Sequence, residues 1–264
     1  MDKILLILQK EWREIRQQRT LVWTIILPPL LFTLIPIVAM FAVGQVSNPS
    51  STTTSATSLV KAIPSLAHMN QQEVAQALIG MQMSILYVLL PAILTSVIAS
   101  YSIVGEKTSR TLEPLLATPI KTWELLVGKS LASLLPAIIA TWLGGGIFIA
   151  AVALLAISSR VFSAIISPGW LIVFLLWTPA LALIAIALMI AVSSRVNDPR
   201  TAQQFSAILI IPFMALFVGQ ISGLLVLGPT FAFTTFLVLF VLAILSLWLV
   251  TRLFQREVIL TRWK

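Results

Sequence analysis

Six long apolar runs, none containing Asp, Glu, Lys, Arg or His, constrain this chain more than any other feature. They are Leu21–Gly44, Met81–Val104, Ser130–Ala156, Gly169–Val192, Phe205–Leu227 and Phe231–Val250, with lengths of 24, 24, 27, 24, 23 and 20 residues. About 18 such residues mark a membrane-spanning helix. Lipid offers no partner to backbone N–H and C=O groups, so a span satisfies its own hydrogen bonds, and runs of this length do so as helices. Gly228-Pro229-Thr230 separates the last two runs. Joined, they would make a helix more than twice the bilayer thickness at ~1.5 Å per residue. Composition agrees: 59% of residues are hydrophobic and 10% charged, against about 25% charged in a soluble domain. Mean hydropathy is +1.03. The expected fold is therefore an all-α integral membrane protein, a single transmembrane domain over 1–264. With no Cys and one His, disulfides, thiolate catalysis and Cys-ligated metal centres are excluded.

Basic residues orient the spans. Residues 1–20, loop 105–129, loop 193–204 and tail 251–264 carry 15 of the 17 Lys and Arg, leaving Lys61 and Arg160 for the other side. Bases concentrate on cytoplasmic loops, so both termini are expected in the cytoplasm, and six spans agree because an even number returns the chain to its starting side. The net charge of +8 is read as this topological signal and not as a nucleic-acid surface. The first apolar run is too long for the core of a signal peptide and is read as a retained span. Spans without ionisable residues argue against a proton-coupled carrier. They also leave no general acid or base for an intramembrane protease.

Three segments outside the spans carry information. Residues 1–20 read as an amphipathic helix with Ile4, Leu5, Leu8, Trp12 and Ile15 on one face and Lys3, Lys10, Arg13 and Gln17 opposite. Such a helix lies in the membrane interface, either as an anchor for the first span or as a docking surface. Loop 45–80 begins Ser/Thr-rich and turns helical at Asn70, where Asn70 and Glu73 have capping-box spacing. The only His, His68, lies in this loop and is read as a surface residue. Loop 105–129 mixes acids, bases and leucines over 25 residues. Thr118 and Pro119 suit the N-cap and first position of a restarting helix. A charged helical segment over about 106–117, with Leu112, Leu115 and Leu116 as its apolar residues, precedes them. It could be an ordinary hairpin, or a helix that receives a push.

The pattern Glu106-Lys107, Thr111-Leu112-Glu113, Leu115-Leu116, Thr118-Pro119, Glu124 and Gly128-Lys129 resembles the first cytoplasmic loop of type-2 ABC exporter permeases. The amphipathic start, six spans, long first outside loop and cytoplasmic tail fit the same layout. The resemblance implies a coupling helix between spans 2 and 3, with Glu106, Lys107, Arg110, Leu112, Glu113, Leu115 and Leu116 facing an ATPase. It makes the N-terminal helix a connecting helix, with Trp12, Arg13 and Arg16. It also implies two copies of a separate nucleotide-binding ATPase subunit, which would bind ATP and Mg, since this chain has no Walker A pattern and is expected to bind no cofactor itself. A second membrane subunit, identical to this one, would complete a dimer in a prokaryotic plasma membrane. Gly219 and Gly223 have the spacing of a close helix seam and are candidates for dimer packing, or for packing within one subunit. Tyr87, Thr95 and Ser96 of the second span and Phe213, Met214 and Phe217 of the fifth are candidates for the substrate path. Those side chains suit a hydrophobic or amphipathic solute: a lipid, peptide or drug-like molecule. Gly144-Gly145-Gly146, inside an apolar helix, is read as a kink or a tight packing site. Two rival readings remain: a secondary carrier or channel, and a non-transporting anchor driven by the same kind of ATPase.

Overall fold

The computed structural model describes residues 2–45, 63, 66, 68–108, 122–193, 196, 198–205, 208, 211–212, 214–215, 218–219 and 228–253. Helices α1 (Asp2–Gln17), α2 (Arg19–Gln45) and α3 (Gln71–Ser84) come first. A 3₁₀ turn, Ile85–Val88, leads into α4 (Leu89–Thr108), and α5 (Thr122–Leu155) follows. Short α6 (Ser159–Ile165) and α7 (Pro168–Ile172) precede a π-helical turn, Val173–Trp177, and α8 (Thr178–Ser193). α9 (Pro199–Phe205) and α10 (Pro229–Leu253) complete the described elements, and no strand occurs among the described residues.

Among the described residues, five stretches are long and apolar enough to cross a membrane: Arg19–Gln45, Gln71–Ser102, Glu124–Leu155, Ser159–Val192 and Pro229–Val250. They match the first four expected spans and the sixth. The expected fifth span, 205–227, lies mostly outside the described residues. Most observed helices run past the ends of their expected spans, because polar and charged residues at a span's end stay helical, whereas α5 stops at Leu155, one residue short of Ala156. Glu124 and Lys129 thus lie within α5, ahead of Ser130. α3 begins at Gln71 after Asn70, whose backbone N–H donates to Glu73 Oε2 at 2.9 Å, as the capping-box spacing leads one to expect. α10 starts at Pro229, directly after the non-helical Gly228.

The second span is the centre. In the apolar stretch of Gln71–Ser102, 78% of residues are buried, against 22% in the first span and 11% in the last. α4 packs on α5, α8, α2 and α9, while α8 also packs on α5 and α10. α2 and α10 therefore turn long apolar faces outward, including Leu27, Leu34 and Val38 on one and Val238, Leu242 and Leu245 on the other. In a bilayer such faces cost nothing.

Within α2, Pro28, Pro29 and Pro36 each remove a backbone donor. The Thr33 hydroxyl donates to Pro29 O at 2.6 Å. Tyr87 from the 3₁₀ turn donates to Thr33 Oγ1 at 2.9 Å, fastening span 1 to span 2. Around it Tyr87, Phe148, Trp170 and Phe174 form a chain of ring contacts, with Trp170 and Phe174 stacked at 4.9 Å. The glycine run in α5 serves this packing. A β-carbon at Gly144 would lie 3.2 Å from Thr33 Oγ1, and one at Gly145 would collide with the Phe174 ring, whereas Gly146 faces open space.

Candidate functional site

α1 lies against the start of α5 at the end of the molecule that carries most of the described bases; this is the basic end. Gly128 allows the approach, since a β-carbon there would come within 2.8 Å of Ile7 Cγ2. One turn on, Glu11 meets Lys129. Their side chains are 3% and 4% exposed, and Lys129 Nζ lies 2.9 Å from Glu11 Oε1. Ser102, near the end of span 2, donates its hydroxyl to Glu11 Oε2 at 2.7 Å. Lys129 Nζ also donates to Ser102 O at 3.1 Å and to Ser102 Oγ at 3.2 Å. Burying either charge alone would cost several kcal/mol or more. Here each charge has the other, and Ser102 completes the set. The joint brackets loop 105–129: Ser102 stands just before the loop and Lys129 is its last residue, so α1 grips both flanks.

The sequence signal for Glu11 was present. At 100° per residue Glu11 falls at the edge of the apolar face of α1, between Ile7 and Ile4. The expected face is also rotated. Ile7 and Glu11 are buried, Ile4, Leu8, Trp12 and Ile15 are half-buried, and Leu5 is 55% exposed. Packing on Gly128 and pairing with Lys129 set the inward side, and hydrophobicity alone does not.

The other expected site residues are distributed as follows. Glu106 and Lys107 fall in the last turns of α4, with side chains outside the described residues. Arg110, Leu112, Glu113, Leu115 and Leu116 lie outside them entirely, as do Thr118 and Pro119. Trp12, Arg13 and Arg16 line a cleft on α1. Tyr87, Thr95 and Ser96 are buried within the chain. Tyr87 is committed to Thr33. The Thr95 and Ser96 hydroxyls are buried without a hydrogen-bond partner. Met214 is exposed, and Phe213 and Phe217 lie outside the described residues. Gly219 is helical, and Gly223 is outside.

Also at the basic end, Asp198 caps α9. The backbone N–H and hydroxyl of Thr201 donate to Asp198 Oδ2 at 3.0 and 2.9 Å. These two bonds hold the carboxyl below its ordinary pKa. Gln203 of α9 donates to Ser100 Oγ at 3.1 Å, tying the loop to span 2.

The opposite end has its own polar latch, which sequence reading missed. Gln76 is 0% exposed. Its amide donates to Met40 O at 3.3 Å and Leu155 O at 3.0 Å and accepts from Ile157 N–H at 3.0 Å. Gln72 donates to Gly44 O at 2.9 Å. The last carbonyls of α2 and α5, which no helix can satisfy internally, are thus bound by α3. An amide one turn from Gln72 and next to Ala77 was the available clue. Arg160 donates to the carbonyl of His68 at 2.8 Å, closing the same end.

Among known families, a model described as ABC-2 family transporter protein matches residues 5–235. No curated protein matches the sequence. Proteins of this family are the membrane permease components of ABC transporters and generally work with a cytoplasmic ATPase. The match runs from α1 through the joint and the latch into α10, and this chain therefore belongs to the ABC-2 transporter family.

Proposed function

We propose that the chain is the permease subunit of an ATP-driven exporter. Two membrane subunits, identical to one another, form the translocation path, and each docks a separate cytoplasmic ATPase subunit that binds ATP and Mg. Both termini lie in the cytoplasm of a prokaryotic cell, with the chain in its plasma membrane. The solute is hydrophobic or amphipathic.

The observation that carries this reading is the Glu11–Lys129–Ser102 joint. It makes α1 and the two flanks of loop 105–129 one body at the basic end. A force on that loop, through Glu106, Lys107, Arg110, Leu112, Glu113, Leu115 and Leu116, would reach spans 2 and 3 as a rigid-body movement and not as local bending. Thr95 and Ser96 supply unpaired hydroxyls along span 2 that a solute can use when the spans part. Phe213, Met214 and Phe217 supply the apolar wall, and Gly219 and Gly223 let two copies approach.

The test is affinity purification of the tagged chain in mild detergent, with identification of co-purifying subunits and an ATPase assay. A stoichiometric Walker-motif subunit with vanadate-sensitive hydrolysis supports the reading. Glu113→Lys should then weaken docking or uncouple transport. A homogeneous complex with no ATPase, under conditions in which such complexes survive, would overturn it in favour of ion-driven transport.

A further inference from the structure

α1 also presents a basic cleft that the joint leaves unused. Its volume is about 700 Å³, and Leu6, Gln9, Lys10, Trp12, Arg13 and Arg16 are among the residues that line it. Lys10 is already engaged, with Nζ 3.3 Å from Glu14 Oε1 and 3.9 Å from Glu11 Oε1. Arg13 and Arg16 differ: both are exposed, and neither has a hydrogen bond or ion pair among the described residues. Trp12 adds a third donor. Its indole N–H is buried without an acceptor, and an indole nitrogen can only donate.

Arg13 and Arg16 bring two guanidiniums to a cleft whose described lining holds no carboxylate, with the Trp12 ring beside them and the amides of Gln9 and Gln17 as further polar groups. Phosphate fits that set, because the planar guanidinium fork pairs two phosphate oxygens at once. Depth selects the source. α2 begins at Arg19, three residues after Arg16, so Arg16 stands roughly 4.5 Å along the helix from the first span. Leu5 and Leu6, 55% and 63% exposed, flank the bases on the same helix. Bases beside bare leucines and an interfacial Trp match a lipid boundary. The joint holds α1 fixed against α4 and α5, so the cleft has a defined position and is more than a diffuse positive field.

We propose that this cleft binds the phosphate headgroup of an anionic phospholipid in the leaflet at the basic end. Arg13 and Arg16 pair with its oxygens, and Trp12 Nε1 donates to one of them.

The test is native mass spectrometry of the full chain in neutral detergent, titrated with dioleoylphosphatidylglycerol and, separately, dioleoylphosphatidylcholine. The wild type should retain one phosphatidylglycerol per chain through delipidating washes and show no comparable phosphatidylcholine. Arg13→Gln with Arg16→Gln should weaken retention roughly thirtyfold, about one decade or less per base, and Trp12→Phe should weaken it by a smaller factor. Arg160→Gln, at the other end, should leave it unchanged. Circular dichroism and gel filtration establish that each variant is folded, and Trp12→Phe alone decides the matter if the double variant is not. Four results would overturn the proposal. These are unchanged phosphatidylglycerol binding in the folded variants, equal binding of phosphatidylcholine, displacement by equimolar inorganic phosphate, or loss of a co-purifying ATPase from the double variant with lipid retention intact. The last would make the cleft an ATPase-docking face.

Discussion

Glu11 and Lys129, 118 positions apart in the sequence, hold their charges 2.9 Å from each other where neither side chain meets solvent. Removing one partner strands the other, which typically costs 3–5 kcal/mol. Glu11→Gln and Lys129→Met should each lower the thermal midpoint in detergent sharply. The exchange Glu11→Lys with Lys129→Glu should recover more than half of either loss. Single variants as stable as the wild type would show that the pair bears no load.

Gln76 ties the last part of α2 to the end of α5. Gln76→Leu keeps the volume but leaves Met40 O, Leu155 O and Ile157 N–H without that partner. The expected loss is about 1–3 kcal/mol. Hydrogen exchange at the Ile157 amide should quicken, while exchange in α1 stays as it was. Equal quickening at both ends would mean global loosening and not a local latch.

Gly145 and Gly146 are adjacent, yet a methyl group should act oppositely at each. At Gly145 it would meet the Phe174 ring, which is stacked on Trp170 and has little room to swing. Overpacking of this kind costs about 1–3 kcal/mol. At Gly146 nothing lies within 4 Å, so Ala there should be neutral or slightly stabilising through helix propensity. Phe174→Leu should partly rescue Gly145→Ala. The check is the ranking of Gly145→Ala, Gly146→Ala and the combined Gly145→Ala with Phe174→Leu by thermal midpoint.

Asp198 makes α9 sensitive to acid. Its carboxyl titrates below the ordinary value of 3.8 because Thr201 donates to it twice. A depressed folded pKa contributes stability that is fully present above the unfolded pKa and is lost as pH falls through the folded one. Protection of the Ala202 amide, which donates to Asp198 O, should be flat above about pH 4 and decline below it. In Asp198→Ala the protection should be lower throughout and lack that acid-side decline.

The spans were readable because lipid imposes one rule along a whole run: no charge and enough length. Leu21–Gly44 became Arg19–Gln45, and Phe231–Val250 became Pro229–Leu253. The joint was harder to read. Glu11 sits on an apolar face and looks, in one dimension, like a flaw in amphipathicity. Its meaning lies in Lys129, which a linear reading assigns to a loop. Tyr87 shows the converse. Its hydroxyl in an apolar span suggests a path, yet Thr33 sits 2.9 Å away and engages it. Periodicity tells which residues share a face, but not which face of another helix comes to meet them.

The π-helical turn Val173–Trp177 sits between α7 and α8. Its widened backbone holds one residue more than a regular α-helix would over the same length. Trp177, the last residue of the turn, donates its indole N–H to Ala232 O at 2.9 Å. Were the same residues wound instead as a regular α-helix, everything beyond the turn would swing by about 100°. Ala182 and Ile186, now fully enclosed, would be carried away from their neighbours, and the Trp177 anchor on α10 would be broken. The surplus residue works as a phase adjuster, setting the angular relation between the two halves of the fourth span.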